Sequence, residues 1–351
     1  MHDDGILILR GDEVLALLEG QEQEVLRTVR SAYETHAVGH SSLPHSTFLR
    51  FPADQRNRII ALPAYLGEEF GVAGIKWVSS FPANLERGLD RASAVVILNS
   101  PRTGHPEAII EGSIISAKRT AASAALAAQW LHNGRRPVSV GFLGCGLINF
   151  ETARFLLTVF PELTDCFAYD LDAHRAHDFA ARCQSLAKRI TVEVVPDVPA
   201  LLRSATLFSI ATTASEPYIK DLAGCAPGST ILHISLRDLA PEVILAADNI
   251  ADDIDHVCRA QTSVHLTEQM VGHRDFIRCN LADILRGTAP ARRDAESVAV
   301  FSPFGLGVLD LAVGKLVCDR ALKQSRGSMI NSFLPAAWVE REPAQRDRAH
   351  D

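Results

Sequence analysis

The chain has 351 residues, of which 47% are hydrophobic and 22% charged, as expected for a folded protein with more than one minimal core. Its net charge of -7 argues against a nucleic-acid partner. The seven scattered cysteines form no CxxC pair, which favours reduced thiols in a cytosol over disulfides or a zinc knuckle. The start lacks the features of a signal peptide and no apolar run is long enough for a membrane span, so we expect a cytoplasmic protein.

A helix and a series of strands are predicted for the first part of the chain. Apolar residues recur at three- and four-residue steps over 22–39, which predicts an amphipathic helix. Turn residues then separate four strand-like runs, at 46–51, 58–66, 72–80 and 94–99. Strands that follow strands indicate an antiparallel or mixed sheet.

An alanine-rich run over 113–132 predicts one long helix closed by Asn133-Gly134. The pattern of predicted elements changes after this helix. Strand candidates then alternate with helical stretches, which is typical of βαβ units and a mostly parallel sheet. These strand candidates are 138–143, 166–170, 191–195, 206–211, 230–235, 249–253 and 297–305. The long helix is therefore expected to connect two domains.

A last helix, from Leu309 to about Gln324, is expected to return to the first domain. The predicted fold class is α/β. A Rossmann-type doubly wound parallel sheet over 119–305 is inserted into a mixed α+β substrate-binding and dimerisation domain, formed by 1–118 plus 306–351. The charged tail from Glu340 is predicted to be disordered.

A glycine turn after the strand candidate 138–143 predicts a dinucleotide site. Gly144 permits the tight turn, and Gly146 lets the backbone approach a pyrophosphate at the N-terminus of a helix that Leu147 and Ile148 open. Asn149 stands where the fingerprint usually has a third glycine, so the details of the phosphate loop stay open.

The end of the next strand supports NAD as the cofactor. An acid at this place, here Asp170, hydrogen-bonds ribose hydroxyls and repels a 2′-phosphate, which favours NAD over NADP. Thr212 and Thr213 end the fourth strand, where a hydroxyl can meet the dinucleotide or simply cap the strand.

Three charged residues stand in apolar surroundings. Lys76 lies in an apolar strand, Arg119 near the start of the long helix, and Asp238 just past a buried-looking strand. A buried charge is costly unless it is paired, so we expect each of them to face a polar cavity. Taken singly, each is more simply explained as a solvated lysine, a helix-surface arginine or a loop aspartate.

Together with the stretches around them, these residues resemble the ornithine cyclodeaminase/μ-crystallin family, and the likeness runs over nearly the whole chain. Within the family, the chain is most similar to dehydrogenases that form 2,3-diaminopropionate in siderophore and peptide-antibiotic pathways. The matching stretches are RIIALPAYL, GIKWVSSFPANLERGLDRASAVVILN, ISAKRTAA, GCGLI and HISLRDLAPEV.

The resemblance implies roles for individual residues. Arg50 and Arg119 match arginines that clamp the substrate carboxylate, and Lys76 matches a lysine that reaches the carboxylate or amine region. Asp238 matches the carboxylate that handles protons and activates water. The stretch SPFGLGVLDLA matches a segment that covers the cofactor, which places Asp310 near the nicotinamide. A homodimer built through the outer domain is implied as well.

The resemblance also implies a reaction. NAD-dependent hydride removal from the glutamate α-carbon of N-(2-amino-2-carboxyethyl)-L-glutamate, followed by hydrolysis of the C=N bond, gives L-2,3-diaminopropionate and 2-oxoglutarate. An ornithine cyclodeaminase, which makes proline and ammonia and recycles NAD, is the first alternative. An amino-acid dehydrogenase or ketimine reductase is another, and a non-catalytic binder of small ligands is the last.

Several conspicuous residues carry simpler expectations. The 13 histidines include no HExxH pattern, so no metal site is expected. Cys145 is expected to fill space, His233 to be a core residue with satisfied hydrogen bonds, and Trp77 to pack in the core. Arg237 is a possible ion-pair partner that lowers the pKa of Asp238.

Overall fold

The computed structural model describes residues 5–132 and 137–334, apart from the side chain of Gln55. The predicted helix end at Asn133-Gly134 and the tail from Glu340 lie outside these ranges. In the first range the elements are β1 (Ile6–Leu9), α1 (Gly11–Leu18), α2 (Glu22–Ala37), β2 (Ser41–Ser42), β3 (Thr47–Phe51), β4 (Asp54–Leu66), β5 (Val72–Ser80), a 3₁₀ helix (Pro82–Arg87), β6 (Ala92–Asn99), β7 (Pro106–Glu111) and α3 (Ser113–Leu131).

The second range alternates strands and helices, as its sequence pattern predicts. Its elements are β8 (Ser139–Leu143), α4 (Leu147–Val159), β9 (Asp165–Tyr169), α5 (Ala173–Gln184), β10 (Thr191–Val194), α6 (Val198–Ser204), β11 (Leu207–Ile210), β12 (Thr230–His233), α7 (Pro241–Ala246), β13 (Asp248–Ala251), α8 (Ile254–Val257), α9 (Ser263–Val271), β14 (Ile277–Asn280), α10 (Leu281–Leu285), β15 (Ala299–Ser302), α11 (Gly307–Lys323) and β16 (Ser328–Ile330).

The first sheet, called the mixed sheet below, has the strand order β16-β1-β7-β6-β5-β4-β2, with β3 paired to β4. Its neighbours are antiparallel except for β1 and β7, which run parallel. The predicted mixed sheet is therefore confirmed. The short strands β1 and β7 are not among the predicted strands, because neither shows the polar alternation that marks a half-buried strand.

The second sheet, called the parallel sheet below, has the order β10-β9-β8-β11-β12-β15-β13-β14, and every pair in it is parallel. The predicted α/β fold class with a doubly wound parallel sheet is confirmed. The strand order reverses between β8 and β11, and the carboxyl ends of two such strands border the crevice where open α/β sheets bind ligands. Strand β15, which is the last strand of this sheet along the chain, lies inside the sheet between β12 and β13.

Helix α3 packs against both sheets, since it contacts β6 on one side and β12 and β15 on the other. Its alanine-rich sequence permits this close packing, because small side chains let backbones approach on several faces at once. One continuous hydrophobic core therefore runs from the mixed sheet through α3 into the parallel sheet. The division of the chain at residues 118 and 306 stays a prediction.

Strand β5 decides which side chains meet at the centre of the molecule. Successive residues of a strand point to opposite faces, and Lys76 is on the face that α11 covers. Trp77 is on the other face and is 38% exposed, so the prediction that it packs in the core is wrong for this chain. No helix of the described ranges is long and apolar enough to cross a membrane.

Candidate active site

The glycine turn at the end of β8 has the geometry of a ligand-binding loop. Gly144 has a φ of 88°, and a Cβ placed on it would lie 2.5 Å from the carbonyl oxygen of Ala211. Only glycine fits there, because the loop passes so close to the end of β11. Gly146 begins α4, and a Cβ placed on it would meet no atom within 4 Å. The helix start is thus open to a phosphate group.

Asn149 explains the departure from the usual glycine fingerprint. Its side chain is fully buried, and its Nδ2 donates to the carbonyl oxygens of Leu143 at 2.9 Å and Gly144 at 2.7 Å. Its Oδ1 accepts a hydrogen bond of 2.7 Å from Ser209 Oγ. The amide therefore joins β8, the turn and β11, where a glycine would leave these groups without that link.

Asp170 follows β9 and lies against the glycine turn. Its Oδ2 accepts from the backbone N–H of Cys145 at 2.8 Å, and its Oδ1 accepts from the N–H of Asp172 at 3.0 Å. Both oxygens keep capacity for a further donor such as a ribose hydroxyl. Leu147 is exposed and Ile148 half-buried at the same edge.

Burial raises the pKa of the Cys145 thiol to about 12, which agrees with a space-filling role.

Thr212 connects the crevice to Asp238. Its Cα lies 3.3 Å from the position that a Cβ on Gly144 would occupy, and its Oγ1 donates to Asp238 Oδ1. Thr213 is exposed and makes no such bond. The switch point of the parallel sheet and the predicted proton-handling carboxylate are therefore adjacent.

Asp238 is fully buried in a network of hydrogen-bond donors. Tyr218 OH and His233 Nε2 each lie 3.2 Å from its oxygens, and Ser235 Oγ also donates to it. Burial alone would raise the pKa of this carboxyl, but the bonds from His233, Ser235 and Thr212 outweigh burial and lower it. The residue is therefore a carboxylate at neutral pH.

Arg237 turns away from its neighbour in sequence. Its Nη2 donates to the carbonyl oxygen of Ala260 at 2.8 Å, so the possible ion pair with Asp238 is not what holds the carboxylate charged. His233 is buried with partners on both ring nitrogens, since Ser302 Oγ lies 3.4 Å from Nδ1. It is a core residue with satisfied hydrogen bonds, as expected, and it also orients Asp238.

Lys76, Arg119 and Asp310 form a second charged group, called the buried triad below. Lys76 Nζ lies 2.7 Å from Asp310 Oδ2, and Arg119 Nε donates to Asp310 Oδ1 at 2.9 Å. The three side chains are 2%, 9% and 0% exposed. Two cations share one carboxylate, which leaves one net positive charge inside the protein.

The surplus charge of the triad is of the sign that attracts an anion. Burial and the nearby Arg119 lower the pKa of Lys76 to about 8, although Asp310 acts in the opposite direction. Among the described residues, Arg119 uses only Nε for a hydrogen bond, so its terminal nitrogens remain for a ligand. The predicted carboxylate-binding residues Lys76 and Arg119 are brought together by Asp310, which the sequence placed with the cofactor.

The loop after β15 holds the triad against the parallel sheet. The backbone N–H groups of Phe304 and Gly305 donate to Asp252 at 2.8 and 2.7 Å, and Asp252 follows β13. A Cβ on Gly305 would lie 2.9 Å from Arg119 Nη1, so this loop touches the guanidinium. The triad is thereby attached to the carboxyl edge of the parallel sheet, the edge that carries the crevice.

Arg50 does not reach the buried triad through any described contact. It is exposed on β3, where its guanidinium lies 5.7 Å from the centre of the Phe48 ring, and it is the cross-strand partner of Arg58. Three residues that could together ligate a metal ion, His45, Asp255 and His256, lie elsewhere, with one ligand atom of each within 4.8 Å of the others. Two of these three are exposed side chains, and the absence of a metal site stays a prediction.

Several residues of the site have no assigned role in the sequence interpretation. They are Ser209, Tyr218, Ser235 and Asp252. Ser235 was detectable, because it precedes Asp238 in the same short stretch as His233. Tyr218 and Asp252 carried no signal, since they come from separate loops that only the parallel sheet brings together.

The structure has the features of an NAD-dependent oxidoreductase of amino acids. These are a doubly wound sheet, a glycine turn, an acid at the end of the next strand and a buried cationic group at the same edge. The chain belongs to the ornithine cyclodeaminase/mu-crystallin family, whose model matches residues 13–325. The predicted family and the predicted enzyme class are confirmed.

Known proteins resemble the chain over most of its length. Alanine dehydrogenase of Archaeoglobus fulgidus is 29% identical over 334 residues, which cover 93% of this chain and 98% of that protein. N-((2S)-2-amino-2-carboxyethyl)-L-glutamate dehydrogenase of Staphylococcus aureus is 27% identical over 318 residues, which cover 89% and 94%. The structure of an archaeal alanine dehydrogenase dimer with bound NAD has a TM-score of 0.84 and 28% identity, covering 94% of this chain and 100% of that one.

Proposed function

We propose that the enzyme oxidatively cleaves N-(2-amino-2-carboxyethyl)-L-glutamate to L-2,3-diaminopropionate and 2-oxoglutarate, in a pathway to a siderophore or peptide antibiotic. The observation that carries the proposal is the buried triad, whose surplus positive charge fits a substrate carboxylate beside the crevice. Similarity to the Staphylococcus aureus enzyme, which is named for this substrate, supports it.

In this proposal the triad binds and orients the substrate. The planar fork of Arg119 and the ammonium group of Lys76 hold the carboxylate next to the reacting carbon, and Asp310 keeps both cations in place. Because the pKa of Lys76 is about 8, the side chain is mostly charged at neutral pH. Fixing the carboxylate fixes the α-carbon, and such positioning lowers the barrier of a hydride transfer.

The cofactor would be held by the residues of the crevice: Gly144, Gly146, Leu147, Ile148, Asp170, Thr212 and Thr213. When bound there, NAD would supply the acceptor for the hydride of the glutamate α-carbon. Asp238 then takes a proton from the water that attacks the resulting C=N carbon, and it returns a proton to the departing amine. Its low pKa keeps it ready as a base, and Thr212 and Tyr218 hold it in one orientation.

An amino-acid dehydrogenase is the second candidate, because alanine dehydrogenase of Archaeoglobus fulgidus is 29% identical over nearly its whole length. With that function, this chain uses the same triad and the same base. Only the substrate side chain that the rest of the pocket accepts is different. An ornithine cyclodeaminase differs in its stoichiometry, since it returns the hydride and leaves no net NADH.

A substrate panel separates these functions. Purified enzyme with NAD is given the glutamate adduct, L-alanine or L-ornithine, while NADH absorbance, 2-oxoglutarate, proline and ammonia are measured. We expect NADH and 2-oxoglutarate in equal amounts from the adduct. NADH from alanine alone would assign an alanine dehydrogenase. Proline and ammonia from ornithine without net NADH would assign a cyclodeaminase.

We further propose a cytoplasmic homodimer. All seven cysteines are free thiols, which suits a reducing compartment. The face of β5 opposite Lys76 offers Trp77 and Ile75 next to Val95 and Ile97 of β6, an apolar surface of the kind that self-association covers. The archaeal alanine dehydrogenase, whose structure is that of a dimer, supports self-association as such.

A further inference from the structure

Four arginines converge at one end of the mixed sheet, away from the buried triad. Arg50 is on β3, Arg58 on β4, Arg91 just before β6, and Arg237 in the loop after β12. We propose that Arg58, Arg91 and Arg237 form a second anion subsite that binds the distal carboxylate of an acidic substrate. This subsite rests on the proposed function, and it would make the enzyme select substrates that carry more than one carboxylate.

Strand register brings the first of these residues together. Arg58 is the cross-strand partner of Arg50 on one side and of Ser80 on the other. Arg91 Nη1 donates to Ser80 Oγ at 3.0 Å, so Arg58 and Arg91 meet around Ser80. Like charges directly opposite each other destabilise a sheet, and an arrangement of this kind calls for a counterion.

Arg237 enters the same group from the parallel sheet. Burial lowers the pKa of Arg58, and the positive charges of the nearby Arg237, Arg91 and Arg50 lower it further. Arg237 is affected in the same way by burial and by Arg50. The group therefore bridges the two sheets beside Asp238.

No carboxylate of residues 5–132 or 137–334 forms an ion pair with any of the three subsite arginines. Arg58 Nε is buried without a hydrogen-bond partner, and Arg237 Nη2 donates to a backbone carbonyl oxygen. Asp238 is the acid next to Arg237, but its oxygens accept from Thr212, Tyr218, His233 and Ser235. Unpaired, partly buried cations are costly, and a bound anion removes that cost.

The buried triad and the arginine group around Ser80 lie on the same face of the mixed sheet. Lys76 and Ser80 point to the same face of β5, four residues apart, which is about 13 Å along a strand. A ligand with two well-separated carboxylates would therefore have to span the two groups. Alanine has nothing to place at the second subsite, and the distal ammonium of ornithine is repelled there.

Binding of simple acids to the complex with NADH tests the subsite without any turnover. NADH fluorescence is used to titrate 2-oxoglutarate, which has a distal carboxylate, and 2-oxobutyrate, which lacks one. The wild-type protein is expected to bind 2-oxoglutarate more tightly. In Arg91→Gln and Arg237→Gln its Kd should rise about tenfold, the effect of losing one charge-assisted hydrogen bond, while Kd values for 2-oxobutyrate and NADH stay unchanged.

Two further variants exclude a mere loss of structure. Arg91→Lys keeps the charge and should retain part of the preference, and Arg87→Gln removes an exposed arginine of the 3₁₀ helix as the matched control. Equal affinity of the wild type for both acids, or unchanged 2-oxoglutarate binding in both Gln variants, would overturn the subsite. Arginine-dependent preference for 2-oxoglutarate in an enzyme that does not cleave the adduct would support the subsite and reject the proposed reaction.

Discussion

At the scale of single residues, charge and environment together decide what each group does. Asp238 is buried, yet its pKa is lowered because its hydrogen bonds with His233, Ser235 and Thr212 outweigh the effect of burial. Lys76 is equally buried and has a pKa of about 8, since burial and Arg119 act against Asp310. Asp238 is thus held in its charged form, whereas Lys76 is a cation that is close to losing its proton. Residue type alone specifies neither state.

Asp238→Asn should abolish proton transfer while keeping the shape of the site. We expect kcat on the glutamate adduct to fall by about 10²-fold or more, the usual contribution of a general base. Affinity for NADH should stay within about twofold, because the glycine turn is untouched. Asp221→Asn, at an exposed aspartate, is the matched control. Wild-type turnover by Asp238→Asn would show that another group handles the proton.

At the scale of elements, the β8–α4 connection shows how two glycines close together serve different purposes. Gly144 is required by the protein itself, since its φ is positive and the end of β11 leaves no room for a side chain. Gly146 has an ordinary φ of -93° and open space around it. The space beside Gly146 is what a pyrophosphate needs.

Alanine substitutions separate these two requirements. Gly144→Ala should lower the free energy of unfolding by about 1–3 kcal/mol through backbone strain, measured by urea titration. Gly146→Ala should keep wild-type stability but raise the Kd for NADH about tenfold, because the methyl group occupies the phosphate approach. A Gly146→Ala protein that binds NADH normally would place the pyrophosphate elsewhere.

At the scale of the whole molecule, two sheets meet across α3, and the charged groups collect where they meet. The covered face of the mixed sheet supplies Lys76 and Arg58, and the carboxyl edge of the parallel sheet supplies Asp238 and Arg237. The opposite face of the mixed sheet remains apolar around Trp77. The proposed dimer covers that face.

Trp77→Glu should dissociate the dimer, because it places a charge in the centre of an apolar surface. Light scattering after size exclusion is expected to give one mass for this variant and twice that mass for the wild type. Met270→Glu, a half-exposed methionine on α9, should stay dimeric. A dimeric Trp77→Glu protein would move the interface to another surface.

The sequence by itself determined the fold class and the glycine turn, because hydrophobic periodicity and close-approach glycines are local properties of the chain. The family followed from the resemblance of several stretches to known members. The sequence also singled out Lys76, Arg119 and Asp238 as charges in apolar surroundings. Only the tertiary structure decided that Asp310 joins the two cations, that Trp77 faces outward and that the charge of Arg237 acts on Arg58. Those contacts join residues far apart in the chain, so strand register and the packing of two sheets determine them.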